Sequence, residues 1–178
     1  MSRYKPPKAM ALSLCLLFSL FVGLPVQGQA ADVNTARDDS PSVNVALGTV
    51  NLLDAHKKGY LGLEYRVQPL GDWQLRPVLA TGWITDAAWH IAAGLKRDFR
   101  IDKGWTLTPG FSVLFFEDGD IVTLGSSIQF KSELEISYRF PGQNRLGLAF
   151  FHVSNGGLGD KNPGTEALVL SFGVPLTL

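Results

Sequence analysis

Beyond residue 42 the chain is divided into segments of about ten residues that are separated by turn residues. In the segment at residues 127–140, apolar side chains occupy alternate positions, and polar or charged side chains occupy the positions between them. Successive side chains of a β-strand point to opposite faces, so this pattern predicts a strand with one apolar and one charged face. After residue 30 the sequence contains no apolar run near the roughly twenty residues that a membrane-spanning helix requires. The chain is therefore expected to be all-β.

Eight such segments can be counted. They lie at residues 42–53, 59–67, 74–85, 87–100, 105–116, 127–140, 145–155 and 165–176. Eight is the smallest usual number of strands in an outer-membrane β-barrel, where the apolar rows face lipid. Alternation alone leaves a second possibility open, because a soluble barrel or sandwich would turn the same rows inward.

The connections favour the membrane barrel. Those after the second, fourth and sixth segments are short and turn-like, whereas residues 117–126 and 156–164, after the fifth and seventh segments, are longer. Outer-membrane barrels have short periplasmic turns and longer extracellular loops. Two levels of tryptophan fit the same arrangement, because aromatic side chains mark both membrane interfaces. The short-turn end carries Trp73 and Trp105, and the long-loop end carries Trp83 and Trp89.

We therefore predict an eight-stranded antiparallel transmembrane β-barrel over residues 42–178, located in the bacterial outer membrane. Residues 1–30 have the pattern of a cleaved secretory signal peptide, with a basic start, an apolar run at residues 9–24 and a small-residue cleavage site. Residues 31–41 are predicted to form a polar leader. Cys15, the only cysteine, lies in the signal, so the exported chain should contain no disulfide and no cysteine-based metal site.

The charge balance argues against a nucleic-acid partner. The predicted signal takes three of the sixteen basic residues and none of the sixteen acidic ones, which leaves a net negative exported chain. The charged row of the sixth segment is expected to pair inside the barrel, because buried charges need partners. Its members are Lys131, Glu133, Glu135 and Arg139. His90, on the fourth segment, is predicted to have no functional role.

A candidate catalytic group lies at the end of the seventh segment. His152 and Ser154 are two positions apart, so both point to the face of that segment's apolar row. If the chain turns back through residues 156–164, Glu166 reaches the same face on the neighbouring strand, about 4.8 Å away. Ser154 would then be the nucleophile, His152 the general base and Glu166 the carboxylate that orients the imidazole. The alternative is a polar cluster at the membrane interface without turnover.

The loop that follows offers donors for an oxyanion. The backbone N–H groups near Gly156 and Gly157, and the side-chain amides of Asn155 and Asn162, could hold the charged oxygen of a tetrahedral intermediate. Ordinary turn chemistry is the alternative explanation for the segment around Asn162.

The residues from His152 to Gly157, followed by those from Asn162 to Glu166, resemble the PagL-type lipid A 3-O-deacylases, which are outer-membrane barrels of eight strands. The rest of the chain agrees with that family in strand count and loop order. The resemblance implies an esterase that removes the acyl chain ester-linked at the 3 position of lipid A, without a metal or other cofactor. It places the site on the outer wall of the barrel, in the outer leaflet. Carried over by position, the catalytic triad is His152, Ser154 and Glu166, and the residues for the oxyanion or for loop positioning are Asn155, Gly157 and Asn162.

Two other functions stay open from the residues. One is a small non-catalytic outer-membrane barrel that stabilises the membrane or binds a partner through residues 117–126, and the other is a phospholipase. The expected partners of the leading hypothesis are lipid A of lipopolysaccharide, as substrate, and the outer membrane itself. A homodimer is left open, because the sequence does not decide between one copy and two.

Overall fold

The computed structural model describes residues 40–176. The predicted signal peptide (residues 1–30) and nearly all of the predicted leader (residues 31–41) lie outside the described residues, so both stay predictions. No helix in the described part of the chain is long and apolar enough to cross a bilayer.

The described residues form one antiparallel β-sheet that closes on itself. Its strands are β1 (Ser42–Val50), β2 (Lys58–Arg66), β3 (Leu75–Ile84), β4 (Trp89–Arg97), β5 (Phe99–Asp102), β6 (Trp105–Glu117), β7 (Ile128–Arg139), β8 (Arg145–Ser154) and β9 (Thr165–Pro175). Except for β4 and β5, strands that are consecutive in the chain pair with each other, and the further pairing of β1 with β9 closes the barrel. The short β5 continues β4, and both pair with β6. The barrel therefore has eight strand positions, which confirms the predicted fold class.

The predicted fourth strand is divided at Asp98, which lies between β4 and β5. The Asp98 carboxylate accepts hydrogen bonds from Thr108 Oγ1 at 2.7 Å, from Arg145 Nη1 at 2.9 Å and from Arg76 Nη1 at 3.3 Å. These donors come from three other strands. The regular pairing with β6 is interrupted at Asp98, whose carboxylate bonds these residues of other strands.

The faces of the strands distinguish a membrane barrel from a soluble one. In β7, Leu134 and Ile136 are exposed by 42% and 41%, whereas Glu133 and Glu135, which alternate with them, are almost completely buried. Apolar side chains thus cover the outer wall, and charged side chains fill the interior. A lipid-facing barrel has this arrangement, because its outer surface contacts hydrocarbon.

The interior charges are paired. Lys96 bonds Glu64 at 2.9 Å and also Glu133, which receives a second ion pair from Lys131 at 2.7 Å. Arg66 bonds Glu64 at 2.6 Å, and its guanidinium also bonds Glu135 of β7 at 2.8 Å. The predicted interior pairing is confirmed for three residues, namely Lys131, Glu133 and Glu135. The cavity that remains among these side chains is about 30 Å³, which holds a water molecule but not an acyl chain.

Residues 118–127, the long loop between β6 and β7, close one end of the barrel. Val122 and Leu124 are each 1% exposed and belong to the apolar core cluster at that end. The same end carries Trp83 and Trp89, which are direct cross-strand partners. The barrel mouth next to the candidate site is therefore covered by an ordered loop.

Candidate active site

The outer wall of the barrel carries a hydrogen-bonded histidine and glutamate. His152 of β8 and Glu166 of β9 are direct cross-strand partners, and His152 Nδ1 lies 3.0 Å from Glu166 Oε1. Each side chain is 23% exposed. They share their rows with Phe150 and Leu168, which are exposed on the outer wall. The imidazole and the carboxylate therefore meet at the end of two lipid-facing apolar rows.

Ser154 is the last residue of β8 and lies on the same face, two positions beyond His152. The ladder between β7 and β8 is regular up to the pair of Ser154 with Phe130, so the alternation of faces holds to the end of the strand. The serine is 5% exposed. Within residues 40–176 its hydroxyl makes no hydrogen bond to His152. Catalytic hydrogen bonds often tighten only when the substrate is bound, so this geometry is compatible with a nucleophile.

Asn155 organises residues 155–164, the loop that joins β8 to β9. Its side chain is completely buried, and its amide group donates to Leu124 O at 3.1 Å and to Lys161 O at 2.7 Å. Its Oδ1 accepts the N–H of Gly157 at 2.8 Å. Both amide N–H groups are thus engaged within the protein. This arrangement fits a loop-positioning role for Asn155 better than a role as an oxyanion donor.

The other two predicted loop residues differ in their free hydrogen-bonding capacity. The N–H of Gly157 is already taken by Asn155, whereas Asn162 uses only its Oδ1, which accepts the Asn155 N–H at 3.0 Å. Among the described residues, the side-chain NH₂ of Asn162 has no hydrogen-bond partner. Gly156 and Gly157 have φ values of 63° and 90°, a left-handed conformation that glycine adopts without steric cost. The chain can therefore turn sharply just after the serine.

Residues 59–175 match the family described as lipid A 3-O-deacylase (PagL). The chain belongs to this family. The lipid A deacylase PagL of Bordetella bronchiseptica is 30% identical over 100 residues, which are 56% of this chain and 48% of that protein. The chain thus spans about half the length of the curated relative that it matches. The family resemblance predicted from the sequence is confirmed.

Two solved structures share the fold. The crystal structure of the outer-membrane enzyme PagL has a TM-score of 0.60 and 21% identity, and it covers 76% of this chain and 99% of its own. The crystal structure of Neisserial surface protein A has a TM-score of 0.57 and 15% identity, covering 76% of this chain and 96% of its own. At these identities the likeness concerns the fold alone. This PagL-family protein is an outer-membrane β-barrel, as its sequence predicted.

Ser132, which lies beside the site, is a polar residue that the sequence pattern did not indicate as functional. It is the direct cross-strand partner of His152, on the side away from Glu166, and it is 6% exposed. The outer row of β7 is otherwise apolar around it, with Phe130 before it and Leu134 after it. A polar residue in a lipid-facing row was the available signal, but the register that places it opposite His152 cannot be read from one sequence.

A second unpredicted contact fixes the start of β9, next to Glu166. Thr165 Oγ1 donates to Asn51 Oδ1 at 2.7 Å and accepts the Asn51 N–H at 3.1 Å. The N–H of Leu52 donates to the backbone oxygen of Glu166 at 3.1 Å. This PagL-family site is therefore held by the loop between β1 and β2 as well as by residues 155–164.

Proposed function

We propose that this PagL-family protein is a lipid A 3-O-deacylase, a serine esterase that hydrolyses the acyl ester at the 3 position of lipid A in the outer leaflet. The observation that carries the proposal is the 3.0 Å contact between His152 Nδ1 and Glu166 Oε1 on the lipid-facing wall, with Ser154 on the same face. A base oriented by a carboxylate beside a hydroxyl is the arrangement that activates a serine.

In the proposed reaction, Ser154 Oγ attacks the ester carbonyl while His152 Nε2 accepts the hydroxyl proton. Glu166 holds the imidazole by Nδ1 and stabilises the cation that forms. The tetrahedral intermediate collapses by breaking the bond between the acyl carbon and the sugar oxygen, and His152 returns its proton to that oxygen. Water then attacks the acyl-serine, with His152 again as the base, and the fatty acid is released.

The oxyanion of the intermediate needs donors near Ser154. The unused NH₂ group of Asn162 supports a role as one donor, since it lies in the loop that Asn155 ties down. Asn155 and Gly157 would act by shaping that loop, because they bond each other at 2.8 Å. Donors fixed in advance stabilise developing charge without reorganising during the reaction.

The position of the site fits an amphiphilic substrate. Below His152 and Glu166, the exposed apolar rows that contain Phe150 and Leu168 offer a surface along which an acyl chain can lie. The sugar would then stay at the level of the loops. An acyl ester can thus reach Ser154 without leaving the membrane, whereas the cavity of about 30 Å³ inside the barrel has no room for it.

Mass spectrometry of lipid A tests the proposal. We expect cells of a Gram-negative host that express the chain to lose one ester-linked acyl chain from lipid A, and fragmentation should assign the loss to the 3 position. Ser154→Ala should restore the full lipid A, whereas Ser137→Ala, a buried serine of the barrel interior, should not. Unchanged lipid A, or the same loss in Ser154→Ala, would refute the proposal. Release of lysophospholipid with intact lipid A would indicate a phospholipase instead.

A further inference from the structure

We propose that Asp86 is a positioning residue of the active site, although it lies on the far side of the barrel. Asp86 is in the turn between β3 and β4, whereas Ser154 ends β8, and around the barrel β8 is three strand positions from β4 and four from β3. The long loop at residues 118–127 connects the two places. This inference rests on the proposed function, because it concerns the same site.

The first link joins Asp86 to the long loop. Its side chain is 6% exposed, and its carboxylate accepts the N–H of Val122 at 2.6 Å and that of Ile121 at 3.1 Å. Its backbone oxygen accepts the N–H of Asp120 at 3.0 Å. Three successive residues of the loop therefore bond this one aspartate, and two of them bond its side-chain carboxylate.

Beyond its bonds to Asp86, the long loop packs against the interior of the barrel. Val122 and Leu124 are each 1% exposed and insert into the apolar core at the barrel mouth. The N–H of Leu124 donates to the carboxylate of Asp118 at 2.8 Å. The loop therefore crosses the mouth as a packed element, and a shift near Val122 has to be transmitted to Leu124.

The second link joins the long loop to the loop that follows Ser154. Leu124 O accepts the Asn155 side-chain amide at 3.1 Å, and the same amide group holds Lys161 O at 2.7 Å. The loops also touch at Gly125, where φ is +75° and an added Cβ would lie 2.7 Å from Lys161 O. Asn155, directly after Ser154, is thus bonded to the long loop, and Lys161, directly before Asn162, is bonded to Asn155. Through the long loop, both are linked to Asp86.

The consequence is specific. Without the carboxylate, the buried N–H of Val122 and the part-buried N–H of Ile121 lose their acceptor, which is costly enough to displace that part of the loop. Asn155 and Asn162 would move with it, while the apolar outer wall that binds the acyl chain would stay in place. Loss of Asp86 should therefore lower kcat and leave KM nearly unchanged, because displacement of catalytic groups by about 1 Å can reduce rates about 100-fold.

Kinetics of the purified full-length protein on lipopolysaccharide in mixed micelles test the inference. We expect Asp86→Ala to lower kcat about 100-fold and Asp86→Asn, which keeps one acceptor oxygen, to lower it about tenfold, with KM within about threefold in both. The matched control is Asp102→Asn at the opposite end of the barrel, where, within the described part of the chain, the carboxylate accepts only the N–H of Lys103. It should behave like wild type. A wild-type kcat in both Asp86 variants, or a change confined to KM, would overturn the inference.

Hydrogen exchange separates this inference from the proposed function. In Asp86→Asn, we expect faster amide exchange in residues 118–127 and also in residues 155–164. Amide exchange in the strands should stay as in wild type. Faster exchange in residues 118–127 alone would show that the two loops are uncoupled and would refute the positioning role. This readout does not depend on the substrate, so it holds even if wild-type protein leaves lipid A intact, an outcome that would refute the proposed function alone.

Discussion

The charged side chains inside the barrel and the polar side chains of the candidate site on its outer wall differ in how completely they are bonded. Inside the barrel, Glu133 is paired with both Lys96 and Lys131. On the outer wall, His152 has one partner, Glu166, and within the described residues the Ser154 hydroxyl has none. Satisfied buried charges define a rigid scaffold, whereas unused hydrogen-bonding capacity next to lipid is costly unless a substrate uses it.

The largest effect on the rate is expected from replacing the outer-wall histidine, with a histidine of the barrel interior as the control. His152→Gln should reduce the deacylation rate about 10⁶-fold, because the general base of the serine is removed. His90→Gln is the matched interior change, since His90 is 3% exposed and bonds Tyr60 Oη. It should leave the rate per folded molecule unchanged. Initial rates of fatty-acid release, normalised to folded protein, measure both. Equal losses of rate in the two variants would show that the outer wall and the interior do not differ in their part in catalysis.

A smaller loss is expected from the carboxylate that orients the base. Glu166→Gln keeps the shape of the side chain but weakens its hold on the imidazole, and it should reduce the rate roughly 10⁴-fold. Glu117→Gln, an exposed carboxylate at the end of β6, is the control and should have wild-type activity. A pH series of initial rates on both proteins would check the assignment. If Glu166→Gln retains more than a tenth of the activity, Glu166 does not orient the base.

The interior should respond in stability instead of rate. Glu133→Ala leaves Lys96 and Lys131 buried without a shared carboxylate, and loss of one partner in a buried ion pair costs about 3 kcal/mol. The urea midpoint of unfolding in detergent should fall, while the folded fraction deacylates at the wild-type rate. A variant that is inactive but as stable as wild type would contradict the scaffold role of this cluster.

The smallest effect is expected at Ser132, the outer-wall partner of His152. Ser132→Ala removes a hydroxyl with no hydrogen bond among the described residues, so the rate should stay within about threefold. Ser132→Leu adds bulk beside the imidazole and displaces the base, so its deacylation rate should be about tenfold lower than that of Ser132→Ala. Rates for the two variants, measured side by side, separate crowding from loss of the hydroxyl. A large loss in Ser132→Ala would give the hydroxyl a direct part in the reaction.

The sequence predicted what depends on local periodicity. Alternation placed Leu134 outward and Glu133 inward, and the same parity put His152 and Ser154 on the outer wall, because faces repeat every two residues along a strand. The count of eight strand positions followed from turn residues between the segments. These features need no knowledge of distant contacts.

What the sequence missed depends on register and on partners far along the chain. The position of Ser132 opposite His152 follows from the pairing of β7 with β8, and a single sequence does not specify that pairing. The break at Asp98 arises from donors on three other strands, and the role of Asn155 requires Leu124, which is 31 residues away. Contacts of this kind exist only in the folded barrel.

Covalent labelling of the purified protein tests the central claim most directly, namely that the outer-wall serine is the nucleophile. An alkyl fluorophosphonate with a long chain, supplied in mixed micelles, should add one phosphonyl group per molecule, and peptide mapping should place it on Ser154. The adduct should be absent in Ser154→Ala and should form far more slowly in His152→Gln. An adduct on Ser132, or active protein that carries no adduct on Ser154, would contradict the account.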